Sequence, residues 1–314
     1  MYLVDSHCHL HDREFFTEEQ AEQMLKNARA RGVKQIICIG TSHEDSLAAR
    51  DFAEAHTNVF WTYGIHPEEA EASFKVASEF GVLSESASPS SQNHQHLRTE
   101  TRNCNSGAGS PECCDFDDCG LKPRTKPEPE DTTNKLVGIG EIGLDYHYPG
   151  YNRDKQIRLL EEMLQLAVDL KLPCSFHVRD AFDDFFAVIK NFTFEARLKP
   201  SVLHSFTDTT ENFYKAIEVY NLYIGINGIA TFANLDFLKD KRLNAFFVRS
   251  RCLLETDAPF LTPTPNRGKI NEPANVADVA KWLAKKFDIT EAEVAEWTTE
   301  NAKQVFNLPD PEPV

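Results

Sequence analysis

Eight short runs rich in β-branched and aromatic residues alternate with stretches patterned for helices, and this alternation restricts the fold more than any other feature of the chain. The first run is Leu3 to His9 and the second Lys34 to Gly40. Then come Val59 to Gly64, Leu136 to Ile142, Pro173 to His177, Ser201 to His204, Leu222 to Ile226 and Arg251 to Asp257. Between these runs the apolar period changes to that of a helix. Thr17-Glu18-Glu19-Gln20 is a capping-box pattern, expected to open a helix that reaches Arg31 and stops at Gly32. Further helices are expected over Glu44 to Ala55, Asn152 to Leu170, Ala181 to Lys190, Thr210 to Tyr220 and Leu235 to Val248. Two more close the pattern, Asn275 to Phe287 and Glu291 to Phe306, the second opened by Thr290 with Glu293 behind it. Eight such units in 314 residues describe a parallel (β/α)8 TIM barrel, an α/β fold. A doubly wound open sheet would need a Gly-rich nucleotide-binding turn after an early strand, and the sequence has none.

The alternation breaks once, between strands 3 and 4. Residues 82–134 are rich in Ser, Asn, Pro, Glu and Thr and poor in aliphatic side chains. Such a segment buries too little apolar surface to offset the entropy of ordering it, so a long low-complexity insertion, disordered and looped out of a single domain covering residues 1–314, is expected. Half of the eight cysteines, Cys104, Cys113, Cys114 and Cys119, fall in that segment, with a spacing that matches no zinc pattern. Cys8, Cys38, Cys174 and Cys252 lie in apolar runs, where a thiol behaves as a small hydrophobe, and all eight are expected to be reduced.

Charge narrows the function. A net charge of −16 argues against a protein that coats nucleic acid through a broad basic face. It leaves room for an enzyme that grips a phosphodiester end through bound cations and a few arginines, since a cation dominates the field at its own site. No apolar run approaches the roughly 18 residues needed to cross a bilayer. MYLVDSHCHL lacks the basic and long apolar regions of an export signal, so a cytoplasmic protein without membrane contact is expected, with the nucleus open to it in a eukaryote.

In a barrel of this kind the carboxyl ends of the strands share one mouth. Gathered there are His7 and His9 from strand 1, His66 after strand 3 and Glu141 on strand 4. Strand 5 adds His177, strand 6 His204 and strand 8 Asp257. Any one of these histidines could be structural; together they form a donor set suited to Zn2+ or Mn2+ and tolerant of Mg2+. The set is too large for one tetrahedral ion, which implies two divalent metal ions. A carboxylate is the natural bridge between them, and Glu141, midway round the barrel, fits. His7, His9 and Asp257 would hold the first ion, and His177 and His204 the second. A pair of ions about 3.5–4 Å apart would activate a shared water for hydrolysis, with Asp257 as general base.

The phrases DSHCHL, GIHP, GEIGLDY, FHVRDA, VLHSF and ETDAPFLTP with NRGKINEP resemble the TatD family of metal-dependent deoxyribonucleases, within the amidohydrolase superfamily. The likeness covers nearly the whole chain apart from the insertion. It implies a metal-dependent hydrolase that cleaves DNA phosphodiester bonds, typically as a 3′→5′ exonuclease acting on DNA 3′ ends, with a place in DNA repair. The family's ligands fall on His7, His9, Glu141, His177, His204 and Asp257. His66 is the GIHP histidine, placed by the resemblance near the scissile phosphate or a third metal ion. Arg179, and Arg267 with Lys269, are candidate phosphate contacts, and Tyr146 and Tyr148 candidate stacking partners for a base. Other hydrolases of the superfamily, such as amidases, phosphotriesterases or an aminoacyl-tRNA deacylase, are the alternative. Those that bridge their ions with a carbamylated lysine would need Lys where this chain has Glu141. A non-catalytic scaffold is the third possibility, and the complete donor set argues against it.

Overall fold

The computed structural model describes residues 2–71, 135–194 and 198–313. Eight parallel strands follow one another round the sheet in chain order. They are β1 (Leu3–Cys8), β2 (Val33–Ile39), β3 (Val59–Tyr63), β4 (Leu136–Asp145), β5 (Cys174–Arg179), β6 (Val202–Leu203), β7 (Tyr223–Ile226) and β8 (Cys252–Leu254). Each strand from β1 to β7 forms a ladder with the next. The last seam, β8 to β1, closes just past the strand ends: Asp257 N–H donates to the His7 carbonyl at 2.9 Å and His9 N–H to the Ala258 carbonyl at 2.8 Å. The Ser6 hydroxyl adds a bond to the Leu254 carbonyl at 2.9 Å. The TIM barrel expected from the sequence is therefore present.

Around the barrel lie α1 (Glu18–Ala30), α2 (His43–Ala55), α3 (Arg153–Leu170), α4 (Phe182–Phe194), α5 (Thr210–Tyr214), α6 (Ala245–Arg251), α7 (Val276–Phe287) and α8 (Glu291–Phe306). Both capping boxes form, at Thr17 and at Thr290. Two helices differ from expectation. The one opening at Thr210 changes to a π-helical turn over Lys215–Val219. The long helix expected over Leu235 to Val248 is instead a 3-10 turn, Phe237–Lys239, followed by α6. Leu235, Phe237 and Leu238 are buried there without an α-helix to carry them. Asn244 then starts α6 afresh by accepting from the Phe246 N–H at 2.9 Å.

Strand β4 runs three residues beyond its expected end, to Asp145, pairing Gly143, Leu144 and Asp145 with β5. Its glycines, uncommon in strands, mask this extension in the sequence. Residues 72–134 fall between β3 and β4, where the insertion was expected. The predicted disorder of 82–134 and its four cysteines lie outside the described residues. The other four cysteines are buried free thiols, as expected.

The two ends of the barrel are chemically opposite. From beneath the mouth down to the amino end, Val4, Ile37, Ile39, Phe60, Val137, Val202, Tyr223 and Leu253 meet Ala302, Val305 and Phe306 of α8 and Leu308 beyond it. The helix is held in place by buried Asn301, whose amide donates to the Cys252 carbonyl at 2.9 Å and the Val248 carbonyl at 3.2 Å. This apolar plug closes the floor, and the polar residues converge on the other end.

Candidate metal centre

Each side chain reaches the carboxyl mouth for a local reason. His7 is near the end of β1 and His9 just beyond it, two residues apart and so on one face of an extended chain. Glu141 enters where β4 passes close to the end of β3, at Gly64: a Cβ there would fall on the Gly140–Glu141 peptide. Asp257 adopts a left-handed conformation, φ +57°, which Asp tolerates better than most residues and which turns the chain back toward β1.

The Glu141 carboxylate is the hub. Its Oε1 lies 2.7 Å from His204 Nε2, 2.9 Å from His177 Nδ1 and 3.8 Å from His66 Nε2. Its Oε2 faces the other way, 3.5 Å from His7 Nε2 and 3.9 Å from His9 Nε2. Asp257 Oδ1 completes that second side, 3.5 Å from His7 Nε2 and 3.7 Å from His9 Nε2. His204 borders both sets, because its ring stacks on His7 with centroids 4.0 Å apart. Ligand-type atoms of three groups lie close enough to share an ion: His7, His9 and Glu141; His7, His204 and Asp257; His66, Glu141 and His177.

Several rings are also held from behind. His9 Nδ1 donates to the Ile39 carbonyl at 3.0 Å, and His7 Nδ1 pairs with the Ser175 hydroxyl at 3.3 Å. His177 Nε2 donates to Asp145 at 2.8 Å. Bonds of this kind fix the ring and leave the opposite nitrogen aimed at the hub. His66 differs: its Nδ1 accepts from the Glu68 N–H at 3.3 Å, so in the neutral ring the proton sits on Nε2.

Burial would raise the Glu141 carboxyl, but the charge of His204 and hydrogen bonds from His177 and His204 outweigh it and hold it well below the usual range. Burial, reinforced by the His204 charge, brings His7 down to about 4. Burial likewise brings His66 down to about 4, against the pull of Glu141. For His204 burial is overcome by Glu141, which lifts it to about 10. The residues fit a divalent cation. His7 Nε2 is buried, has no hydrogen-bond partner, and is aimed at carboxylate oxygens of Glu141 and Asp257. An unpartnered buried ring nitrogen beside two carboxylates is what a cation would satisfy.

The cluster opens into a cavity of about 670 Å3, which Arg179 and Tyr148 also line. Arg179 donates to the Tyr148 hydroxyl at 3.3 Å. Arg267 is not brought there: its guanidinium lies over the exposed Phe232 ring, 3.6 Å from the centroid, and donates to the Thr262 carbonyl. Nor does Lys269 line the cavity. Tyr146 packs on Tyr151 and donates to Asp184 at 2.9 Å. The sequence reading missed Asp145 and Glu255. Fully buried Glu255 accepts from the Ser205 N–H at 2.6 Å and from Asn227 at 3.1 Å, with Oε1 3.8 Å from His204 Nδ1. The available signal was an acidic residue in an otherwise apolar strand run, an even number of positions from a recognised candidate.

A parallel barrel whose mouth gathers imidazoles and carboxylates round one central acid has the architecture of a metal-dependent barrel hydrolase. The chain belongs to the family of TatD related DNases, whose family model matches residues 4–307. It is 29% identical over 311 residues to YcfH, an uncharacterised metal-dependent hydrolase of Escherichia coli K12, covering 98% of this chain and 97% of that one. It is 28% identical over 300 residues to the 3′-5′ ssDNA/RNA exonuclease TatD of Erwinia tasmaniensis, covering 91% and 93%. The crystal structure of YjjV, a TatD homologue from Escherichia coli K12, superposes with a TM-score of 0.74 at 24% identity over 98% of each chain, a likeness of fold.

Proposed function

We propose that this chain hydrolyses phosphodiester bonds of DNA, working from the 3′ end, with Glu141 as the bridge between two divalent cations. The observation that carries the reading is the opposed placement of the Glu141 oxygens, one toward His177 and His204, the other toward His7, His9 and the neighbouring Asp257. Zn2+, Mn2+ or Mg2+ bound there would acidify a water and absorb negative charge developing on the phosphoryl oxygens. Asp257 Oδ1, bordering the cavity, accepts the proton of the attacking water. His66 acts as a donor from Nε2 to a phosphate oxygen, since its Nδ1 lone pair is already engaged by the Glu68 N–H; this favours a phosphate contact over a third ion. Arg179 provides a charge-assisted contact to the same phosphate.

The test uses 3′-labelled oligonucleotides and protein loaded in turn with each of the three ions. Labelled mononucleotide is expected from the wild type, and Glu141→Gln should lose on the order of 10^3-fold in rate with its fold intact. An undiminished Gln variant removes the bridge. Silence of the wild type toward DNA, with release of amino acid from aminoacyl-tRNA, would move the site to carboxylic-ester hydrolysis.

A further inference from the structure

The cavity that holds the cluster also carries two aromatic rings that hydrolysis itself does not require. Phe15, in the loop after β1, is 44% exposed and Phe260, in the loop after β8, is 49% exposed, and both line that cavity. Their rings meet edge to face with centroids 5.3 Å apart. The loops that present them are bonded in place. Phe260 N–H donates to the Asp257 carbonyl at 2.8 Å, and its own carbonyl accepts from buried Asn271 at 2.6 Å. The turn at Phe15 is set by Asp12, whose carboxylate accepts from Glu14 N–H at 2.8 Å and whose carbonyl accepts from Phe16 N–H at 3.0 Å. Phe16 is buried at 1% exposure, which leaves its neighbour facing out. Two large rings held at a solvent-facing rim, one of them three residues past Asp257, present a ready surface to a flat apolar partner.

Charge at the mouth narrows the partner further. Among the described residues lining the cavity there is one arginine, Arg179, and no lysine, while Asp12 and Glu68 add negative charge. A duplex or long polyanion laid across this rim would meet more repulsion than attraction. A single strand end, offering one phosphate to the cluster and one base to the rings, would avoid most of it. We infer that Phe15 and Phe260 form a stacking platform for the terminal unpaired base of a single-stranded nucleic acid, and so select which phosphodiester reaches Glu141. The inference rests on the phosphodiesterase reading above and adds its specificity element.

The experiment compares kcat/KM for two metal-supplemented substrates: a single-stranded oligonucleotide with an ordinary 3′ nucleotide, and the same strand ending in a base-free tetrahydrofuran residue. The wild type should favour the base-bearing end by ~10-fold or more, mostly through KM. In Phe260→Ala and in the double variant Phe15→Ala/Phe260→Ala that ratio should fall toward one, and Phe260→Trp should restore it. Circular dichroism confirms folding of each variant; both rings lie at the surface. A wild-type ratio near one, or a ratio unaltered in the double variant, overturns the platform while leaving the phosphodiesterase standing. A wild type that cleaves neither strand overturns the underlying reading itself.

Discussion

Asp145 stands behind His177 and accepts from its Nε2 at 2.8 Å, so the ring presents Nδ1 to Glu141 at 2.9 Å. Asp145→Asn keeps the shape and an acceptor but removes the charge that fixes which nitrogen carries the proton. A ~10- to 100-fold loss of activity or metal affinity is expected, with little change in melting temperature. Steady-state kinetics across a metal titration decides it, and a variant with wild-type metal dependence would limit Asp145 to packing. The contrast between Asp145 and Arg267 shows where sequence reading stops at this scale. Residue type and position on a strand located His7, His9, His66, Glu141, His177, His204 and Asp257 at one mouth, because strand ends in a barrel all go to the same place. Arg267 sits in a loop, where adjacency to a motif gives no direction, and it lies on Phe232.

Among the elements, the seam between β3 and β4 is tight near the centre. Thr62 donates from its hydroxyl to the Gly140 carbonyl at 2.6 Å, and Gly64 leaves space for the Glu141 peptide. Gly64→Ala forces these backbones apart. It should cost at least about 1–3 kcal/mol of stability and displace Glu141, so activity falls further than stability does. Urea unfolding alongside the nuclease assay would show this; a stable and fully active Ala variant would mean the strands can shift freely. Strand and helix order was readable from apolar period alone. Element ends were less so, because Gly138, Gly140 and Gly143 dilute the strand pattern of β4. Past β7, the buried side chains of Leu235, Phe237 and Leu238 imitate a helix that the backbone does not form.

For the whole molecule, the polar rim and the apolar floor make opposite demands on stability. The floor is complete in itself, whereas the rim holds ionised carboxylates beside the unpartnered His7 Nε2. A divalent ion that binds only the folded chain stabilises it by mass action, about 2.7 kcal/mol at a hundredfold excess over Kd. For a barrel of this size that is a rise of roughly 4–5 °C in melting temperature, measured by calorimetry with Zn2+ or Mn2+ against a chelated sample. No shift with any ion would contradict the donor-set reading. No helix among the described residues is long and apolar enough to cross a membrane.

The plug at the amino end also sets a timetable. Residues 291–308 leave the ribosome only after all eight strands have done so, yet they supply Val305, Phe306 and Leu308 to the layer that Val4 and Ile37 begin. A barrel formed before residues 291–308 are made would therefore be open at its base, with Val4 and Ile37 in contact with water. Shielding during translation falls to whatever binds exposed hydrophobic surface in the cell, and a message cut short before Glu291 would yield a product that never stops needing it.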